Sequence, residues 1–524
     1  MKIHWPHFTD PSSSQGFESL ARKYRFRLLG KACKDRGIDS LLLAHHEDDQ
    51  AETVLMRMIA GHRLAGLSGI RACSEIPENY GVHGVHESGG SLQGKATSLG
   101  NKNDISKSTL TVADRHAQMS HHLVSENGGI KIYRPLLGFS KARLVATCEA
   151  QRMKWFEDYT NKDPTLTKRN AIRHMYANHK MPAALSKSSV LGISERMRER
   201  LAVRKAVVDR WLQAWNVSNF ETRSGTIIVQ FRSARRLRLL RGWSTSEKKQ
   251  MAAELLRRVI MLVTPEKQVE VASLHGAVSR LFPELDRSIG AGLPSPPEKD
   301  QDEEDLAPSA MDDEAIPAFD EKEPTEPSAF TVAGVLFKFH TSEHENPHPD
   351  AQLTTQKPFW HLSRQAPHAK STRPSPVITV PCALRPEDIA WSPWQLFDGR
   401  YWIRVQNRSS LPLKIKHFER KHLSELKQSS SKVYRKEFQD LLKKFAKGSV
   451  RWTLPVIVLD KGGLGIGAKY ATSSEVLVLP TLDIKAAHAD ELVRYEVRYK
   501  KIYTDGITLT GHLLPPTTSS FLQP

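Results

Sequence analysis

Apolar residues alternate between helical and extended spacing along the first third of the chain. Leu20, Tyr24, Leu28 and Ala32 recur on one helical face between residues 19 and 36, Gly37 stops that helix, and Leu41-Leu42-Leu43-Ala44 follows as a short buried strand. After a polar run, Ala51, Val54, Leu55, Met58 and Ile59 return to helical spacing. A further strand is predicted over 130–136 and a helix over 141–152. This alternation predicts a doubly wound parallel α/β sheet in residues 1–180. Residues 71–130, rich in Gly, Ser, His and Asn, carry no clear period and are expected to form a surface insertion.

The remainder changes character. Residues 181–284 are predicted to be a helical domain, with Ile193, Met197, Leu201, Val208 and Leu212 on one face of a long helix and Arg196, Arg198, Arg200, Arg204 and Arg210 mostly on the other. Such arginine rows suit either a solvated face or an RNA backbone. Residues 285–376 are dominated by Pro, Ser, Asp and Glu and are predicted to be a linker in which only 330–340 suggests a strand. Residues 377–524 are predicted to be a small α+β domain. Its features are a hairpin over 391–405 turned at Asp398-Gly399, a basic helix over 419–446, and strands over 454–459, 476–479 and 493–499.

Composition narrows the class of protein. The chain has 524 residues, 39% hydrophobic, with 10 Trp and 18 Phe, enough for several packed domains. It has no run of 18 apolar residues, so no membrane partner is expected. The four cysteines (Cys33, Cys73, Cys148, Cys382) are far apart and never CxxC, which argues against a disulfide framework or a zinc ribbon. Net charge is +18, yet residues 296–327 hold thirteen acidic residues against two lysines, leaving +29 on the rest. An excess of this size points to a polyanionic partner, and nucleic acid fits it best.

Candidate chemistry concentrates in His45-His46-Glu47-Asp48-Asp49-Gln50-Ala51-Glu52-Thr53, at the turn from the first strand into a helix. Asp48 or Asp49 is expected to cap that helix at the positive end of its dipole. Ligands of open α/β sheets bind at the carboxyl ends of the strands, where this run lies. Two imidazoles and two carboxylates within five residues can hold a cation and move a proton. A metal-dependent hydrolase built on the same four residues would need a second ligand motif, and none is evident.

The run resembles the HHxDDQAET signature of the tRNA(Ile)-lysidine synthetases, a branch of the PP-loop ATP pyrophosphatases. Glu18 to Phe26 resembles the family's E-x-x-A-R-x-x-R-[YF] helix, Gly66-Leu67-Ser68-Gly69-Ile70 its next turn, and Tyr133 to Leu137 its RPLL strand. Trp155-Phe156-Glu157-Asp158, Asn161, Asp163 and Arg169-Asn170-Ala171-Ile172-Arg173 resemble a later block, so the likeness covers roughly the first third of the chain. It implies an adenine nucleotide alpha-hydrolase-like fold. It also implies ligation of free L-lysine to C2 of the wobble cytidine of tRNA(Ile) bearing a CAU anticodon, with ATP and Mg²⁺. His45, His46, Asp48 and Asp49 are then the expected catalytic residues, with Asp48 and Asp49 also as metal ligands. Arg22 and Arg25 are expected to contact ATP, and Arg169 and Arg173 the tRNA. For Arg169 and Arg173 the equally weighted alternative is pairing with Glu157 and Asp158.

One family element is missing from the sequence. No S-G-G-x-D-S phosphate loop is present; Ser88-Gly89-Gly90-Ser91-Leu92 has the wrong following residues and Lys461-Gly462-Gly463 lies near the other end. The expectation is an amino-terminally incomplete sheet whose phosphate cradle lies upstream of Met1. The alternative is a non-catalytic tRNA-binding remnant. The insertion and acidic segment suggest a fungal-type member, for which the resemblance implies mitochondria rather than cytoplasm.

Overall fold

The computed structural model describes residues 17–85, 123–126, 129–157, 163–165, 167–235, 237, 240–286, 327–341, 358–367, 375–383, 385–460, 476–503, 507 and 509–510. Helix α1 (Phe17–Asp35) buries Phe26 and Cys33 against Ile76, Val85, Ile130 and Ile132. Beneath it lies a three-stranded sheet of β1 (Ser40–Leu42), β2 (Cys73–Glu75) and β3 (Lys131–Tyr133) in the order β1-β3-β2. The β1–β3 pair is parallel as expected, whereas β2 runs antiparallel to β3. Part of the expected insertion is therefore core: Ile76 and Val85 are fully buried. Its return leg also leaves the domain, because the Glu126 N–H donates to Tyr499 O at 3.1 Å and the Tyr499 N–H to Val124 O at 3.0 Å. Ser88 to Leu92 lie outside the described residues.

A run of helices follows. Helix α2 (Glu47–Ile59) buries Ala51, Val54 and Leu55 as its period requires, but also Asp49, Gln50, Glu52 and Thr53, so its first half is covered all round. After the single turn α3 (Leu64–Leu67) come α4 (Lys141–Ala150), capped by Ser140, and α5 (Lys168–Asn178), capped by Thr167. Helix α6 (Lys187–Gln213) has 27 residues, about 40 Å at 1.5 Å per residue. It starts beside α2 and ends with Val208 and Leu212 in a different core.

That second core departs from the sequence reading. Residues 181–284 contain two strands as well as helices α7 (Thr245–Val263) and α8 (His275–Leu281). Strands β4 (Asn216–Glu221) and β5 (Thr226–Gln230) join β6 (Phe330–Val332), β7 (Val335–His340) and β8 (Phe359–Arg364) in one sheet. Leu509–Thr510 adds a parallel edge to β4. Three of these strands come from the stretch expected to be linker. Its apolar segments are short and set in polar sequence, and β8 finds β5 as its partner across about 130 residues. The arginine row on α6 is largely paired: Arg204, 2% exposed, grips Glu254 at 2.7 and 3.0 Å, Arg200 meets Glu247, and Arg258 of α7 meets Asp209.

The carboxy-terminal elements extend that core and build a second one around Phe418, Leu426, Phe438 and Leu442. Strands β9 (Ile378–Val380), β10 (Gln395–Phe397), β11 (Tyr401–Asn407) and β12 (Leu413–His417) precede helices α9 (Arg420–Ser429) and α10 (Lys432–Phe445). Strands β13 (Pro455–Leu459), β14 (Val476–Leu479), β15 (Ile484–Lys485) and β16 (Val493–Tyr499) follow, forming sheets β10-β11-β16 and β15-β14-β13-β12-β9. The expected basic helix is two helices, broken where Ser431 caps α10. The β10–β11 hairpin turns as expected, with φ of +47° at Asp398 and +61° at Gly399. One cluster of buried side chains draws on residues from Val208 to Ile507, on both sides of the expected boundaries at 284 and 376. No described helix is long and apolar enough to cross a membrane.

Candidate active site

The polar run caps α2, but through a different residue from the one expected. Helix α2 begins at Glu47, which makes His46 the N-cap and puts Asp48 and Asp49 in the first turn. The His46 ring accepts the Asp49 N–H through Nδ1 at 3.4 Å, and the His46 N–H donates to Asp49 Oδ2 at 3.1 Å. This reciprocal box satisfies two otherwise unpaired donors. It also commits the Nδ1 lone pair, which places the proton of a neutral His46 on Nε2.

Asp48 is held from two sides. Its Oδ2 accepts the backbone N–H of Lys141 at 2.7 Å, at the start of α4, and its Oδ1 meets the Lys187 ammonium, at the start of α6. Burial acts to raise the Asp48 carboxyl, but Lys187 and the Lys141 N–H outweigh it and keep the group below the usual carboxylate range. Asp48 therefore gathers two helix starts separated by 46 residues onto a third.

Asp49 and Glu52 bind the arginines of α5. Arg173 donates through Nε to Glu52 Oε1 at 2.8 Å and lies 3.3 Å from Asp49 Oδ1, while Arg169 lies 3.7 Å from each carboxylate and donates to Thr53 Oγ1 at 3.3 Å. Burial pushes the Glu52 carboxyl up, and Arg173 only partly offsets it. Both side chains thus clamp α5 to α2. Glu157 meets Lys141 at 3.0 Å, and Asp158 and Asn161 lie outside the described residues.

His45 differs from its neighbour. Its ring is held below the ordinary histidine value chiefly by burial, with Asp49 opposing and the charges of Arg134, Arg169 and Arg22 assisting. Its buried Nδ1 has no hydrogen-bond partner among the described residues. Arg134 is anchored through Arg71 O at 2.8 Å and Ser74 Oγ at 3.1 Å, and its buried Nε likewise lacks a described partner. Arg22 lies over the Phe26 ring at 4.8 Å, and its charge adds to burial, the larger cause, in lowering Arg57 and Arg134. Arg25 is exposed one turn along, and no described contact ties it to the site. The glycine-bearing turn after α3 is fixed by α2: Gln50 Oε1 accepts the Ile70 N–H at 2.6 Å, and Arg57 donates to Gly66 O and Gly69 O at 2.8 and 2.9 Å.

An open cleft of about 650 Å³ borders this cluster, walled by α4 and α5 and reached by His46, Asp48, Glu52, Arg173, Tyr176 and Lys187. That volume suits a small metabolite. The arrangement fits the charge of a nucleotide around His45, Arg22, Arg134 and Arg169. It does not form a seat for Mg²⁺ on Asp48 and Asp49, because all four of their carboxylate oxygens face protein donors or cations. Among the described residues no group of three or more His, Cys, Asp or Glu could hold a metal. No local pattern marks Lys187, Lys141 or Tyr176 as site residues, whereas Arg134 stands in the RPLL-like strand and Glu52 within the signature run.

Comparison with known proteins agrees with this geometry. The family model described as a PP-loop domain matches residues 2–83 and 112–180. The chain is 26% identical over 284 residues to a probable tRNA(Ile)-lysidine synthase of Schizosaccharomyces pombe, covering 54% of this chain and 50% of that protein. It is 30% identical over 217 residues to the tRNA(Ile)-lysidine synthase of Methylobacterium nodulans (41% and 48%), and 31% identical over 200 residues to that of Rhodopseudomonas palustris (38% and 40%). The matched region thus spans about half the length of these relatives or less. Residues 40–42 and 131–133 supply the parallel pair of the α/β fold that such a domain implies, so the chain carries a PP-loop domain and, over its matched part, is similar to tRNA(Ile)-lysidine synthases.

Proposed function

We propose that this protein modifies tRNA, joining the ε-amine of free L-lysine to C2 of the wobble cytidine of tRNA(Ile) with a CAU anticodon. The observation that carries the reading is Asp48, an ionised carboxylate at the mouth of a metabolite-sized cleft and already holding a primary ammonium group. ATP would supply the adenylate that makes the C2 oxygen of cytosine a leaving group. Arg22, Arg134 and Arg169 provide the positive field for the phosphates. Asp48 holds the incoming ammonium in place. His45, kept neutral by burial, is the better proton acceptor, since His46 Nδ1 is committed to the helix cap.

Purified protein with tRNA(Ile), ATP, Mg²⁺ and labelled lysine tests this directly. Lysine incorporation is expected, with Asp48→Asn lowering it by at least about a hundredfold, since the variant keeps shape but loses the charge that orients the amine. Equal turnover by Asp48→Asn would refute the assignment. Binding of tRNA without incorporation would support the second reading, a tRNA-binding protein without catalysis. That reading is favoured only by the lack of an S-G-G-x-D-S loop in these 524 residues.

A further inference from the structure

Lys187 lies 139 residues from Asp48 in sequence, yet its ammonium sits on the Asp48 carboxylate. Its placement is built, not incidental. Ser186 caps α6 by accepting the Ser189 N–H at 3.2 Å, and Tyr176 Oη donates to Leu185 O at 3.1 Å, which fixes the turn just before Lys187. The Lys187 side chain then crosses the Tyr176 ring, with Nζ 5.5 Å from its centroid, and ends at Asp48 Oδ1. A carboxylate and an aromatic face acting together are a general receptor for a primary alkylammonium ion. Both line the cleft, together with Lys187 itself.

We infer that Lys187 is an internal stand-in for the amine substrate: its ε-ammonium occupies the seat on Asp48 and Tyr176 that free lysine takes, and must swing out before lysine binds. The inference rests on the proposed lysine-ligating function. The Lys187 side chain is about half exposed, so it has room to leave. A surface ion pair of this kind is weak enough to exchange. Occupancy of the seat by Lys187 lowers the apparent affinity for free lysine in proportion to the time the seat is filled. If Lys187 holds it nine-tenths of the time, the apparent Kd is about tenfold weaker than the intrinsic one. Lys187 would thereby set the lysine concentration at which the site fills.

The test is calorimetric titration of L-lysine into the full chain, its Lys187→Met variant, which keeps the aliphatic stem without the charge, and Asp48→Asn. Lys187→Met is expected to bind L-lysine about three- to tenfold more tightly than the parent chain. Asp48→Asn should bind it more weakly than the parent, and the double variant should match Asp48→Asn. An unchanged or weaker affinity of Lys187→Met, with binding intact in the parent chain, would overturn the stand-in role and leave the lysine site standing. Absence of L-lysine binding in the parent and in Lys187→Met alike, both shown folded by circular dichroism, would overturn the lysine site and the stand-in with it.

Discussion

The two adjacent histidines of the signature run have the same chemistry and opposite fates. His46 accepts a backbone N–H at its Nδ1 and becomes part of the helix cap, while the half-buried His45 sits among positive charges with its buried Nδ1 lacking a described partner. No spacing rule separates them; only the start of α2 at Glu47 does. A similar situation arises at His417, 5% exposed, whose ring nitrogens have no described hydrogen bond and whose pKa is pushed down to about 4, chiefly by burial. A folded-state value below the unfolded 6.5 means that the native state binds fewer protons. The stability it contributes is fully present above pH 6.5 and is lost as pH falls from 6.5 towards 4. A shift of that size corresponds to about 3 kcal/mol at the acid end of the window. The variant His417→Phe, an apolar ring of similar shape, should flatten the acid limb of a urea-midpoint profile over that interval. A limb as steep as the parent's would show that His417 is not its cause.

At the scale of elements, turns and clamps hold the pieces in register. Gly399 is required at its turn twice over: its φ is +61°, and a Cβ there would lie 2.0 Å from Pro265 O, which is backbone and cannot step aside. The neighbouring Arg400, fully buried, donates to Asp398, Ser224 O and Thr453 O, tying the hairpin to two other segments. Gly448 has a similar φ of +57° but open space around it. Gly448→Ala should therefore cost about 1 kcal/mol from left-handed strain alone, and Gly399→Ala distinctly more because of the added clash. Equal denaturation midpoints for the two variants would show that the Pro265 contact is unimportant. The α2–α5 clamp gives a second contrast. Removing the cation by Arg173→Ala leaves Glu52, 4% exposed, as a buried charge with a weakened partner, and should cost about 2 kcal/mol or more. Glu52→Gln should cost less, because the carboxyl already tends towards its neutral form. A reversed order in urea melts would mean that Arg169 alone neutralises Glu52.

Across the whole molecule, the amino-terminal α/β layer is fastened to the carboxy-terminal sheets. His83 stacks on Trp394 at 4.7 Å and 10°, and meets Glu126 at 3.2 Å. Arg404 and Arg498 lie over the same Trp394 ring at 4.9 Å, Lys501 pairs with Glu75 at 2.9 Å, and residues 124–126 hydrogen-bond to Tyr499. Helix α6 makes the second connection, from Asp48 at one end to Trp215 beyond the other. If the Trp394 stack maintains the first connection, Trp394→Ala should speed hydrogen exchange at the Glu126 and Tyr499 amides by at least about tenfold. Exchange in the middle of α7 should stay unchanged. Uniform acceleration throughout would indicate global destabilisation instead.

The local chemistry of the sequence determined what depends on near neighbours. Period and composition located α1, α2, the parallel β1–β3 pair and the Asp398-Gly399 hairpin, because each is fixed by side chains a few residues apart. The same local run singled out Asp48 and Asp49 as candidates, through its likeness to a family signature. The tertiary structure decided what depends on distant partners. It placed β6, β7 and β8 in a sheet with β4 and β5, turned Arg169 and Arg173 inward onto Asp49 and Glu52, and seated Lys187 on Asp48. A strand is completed by hydrogen bonds to another strand, and a charge by a counter-charge. Where that partner lies a hundred residues away, no local pattern names it.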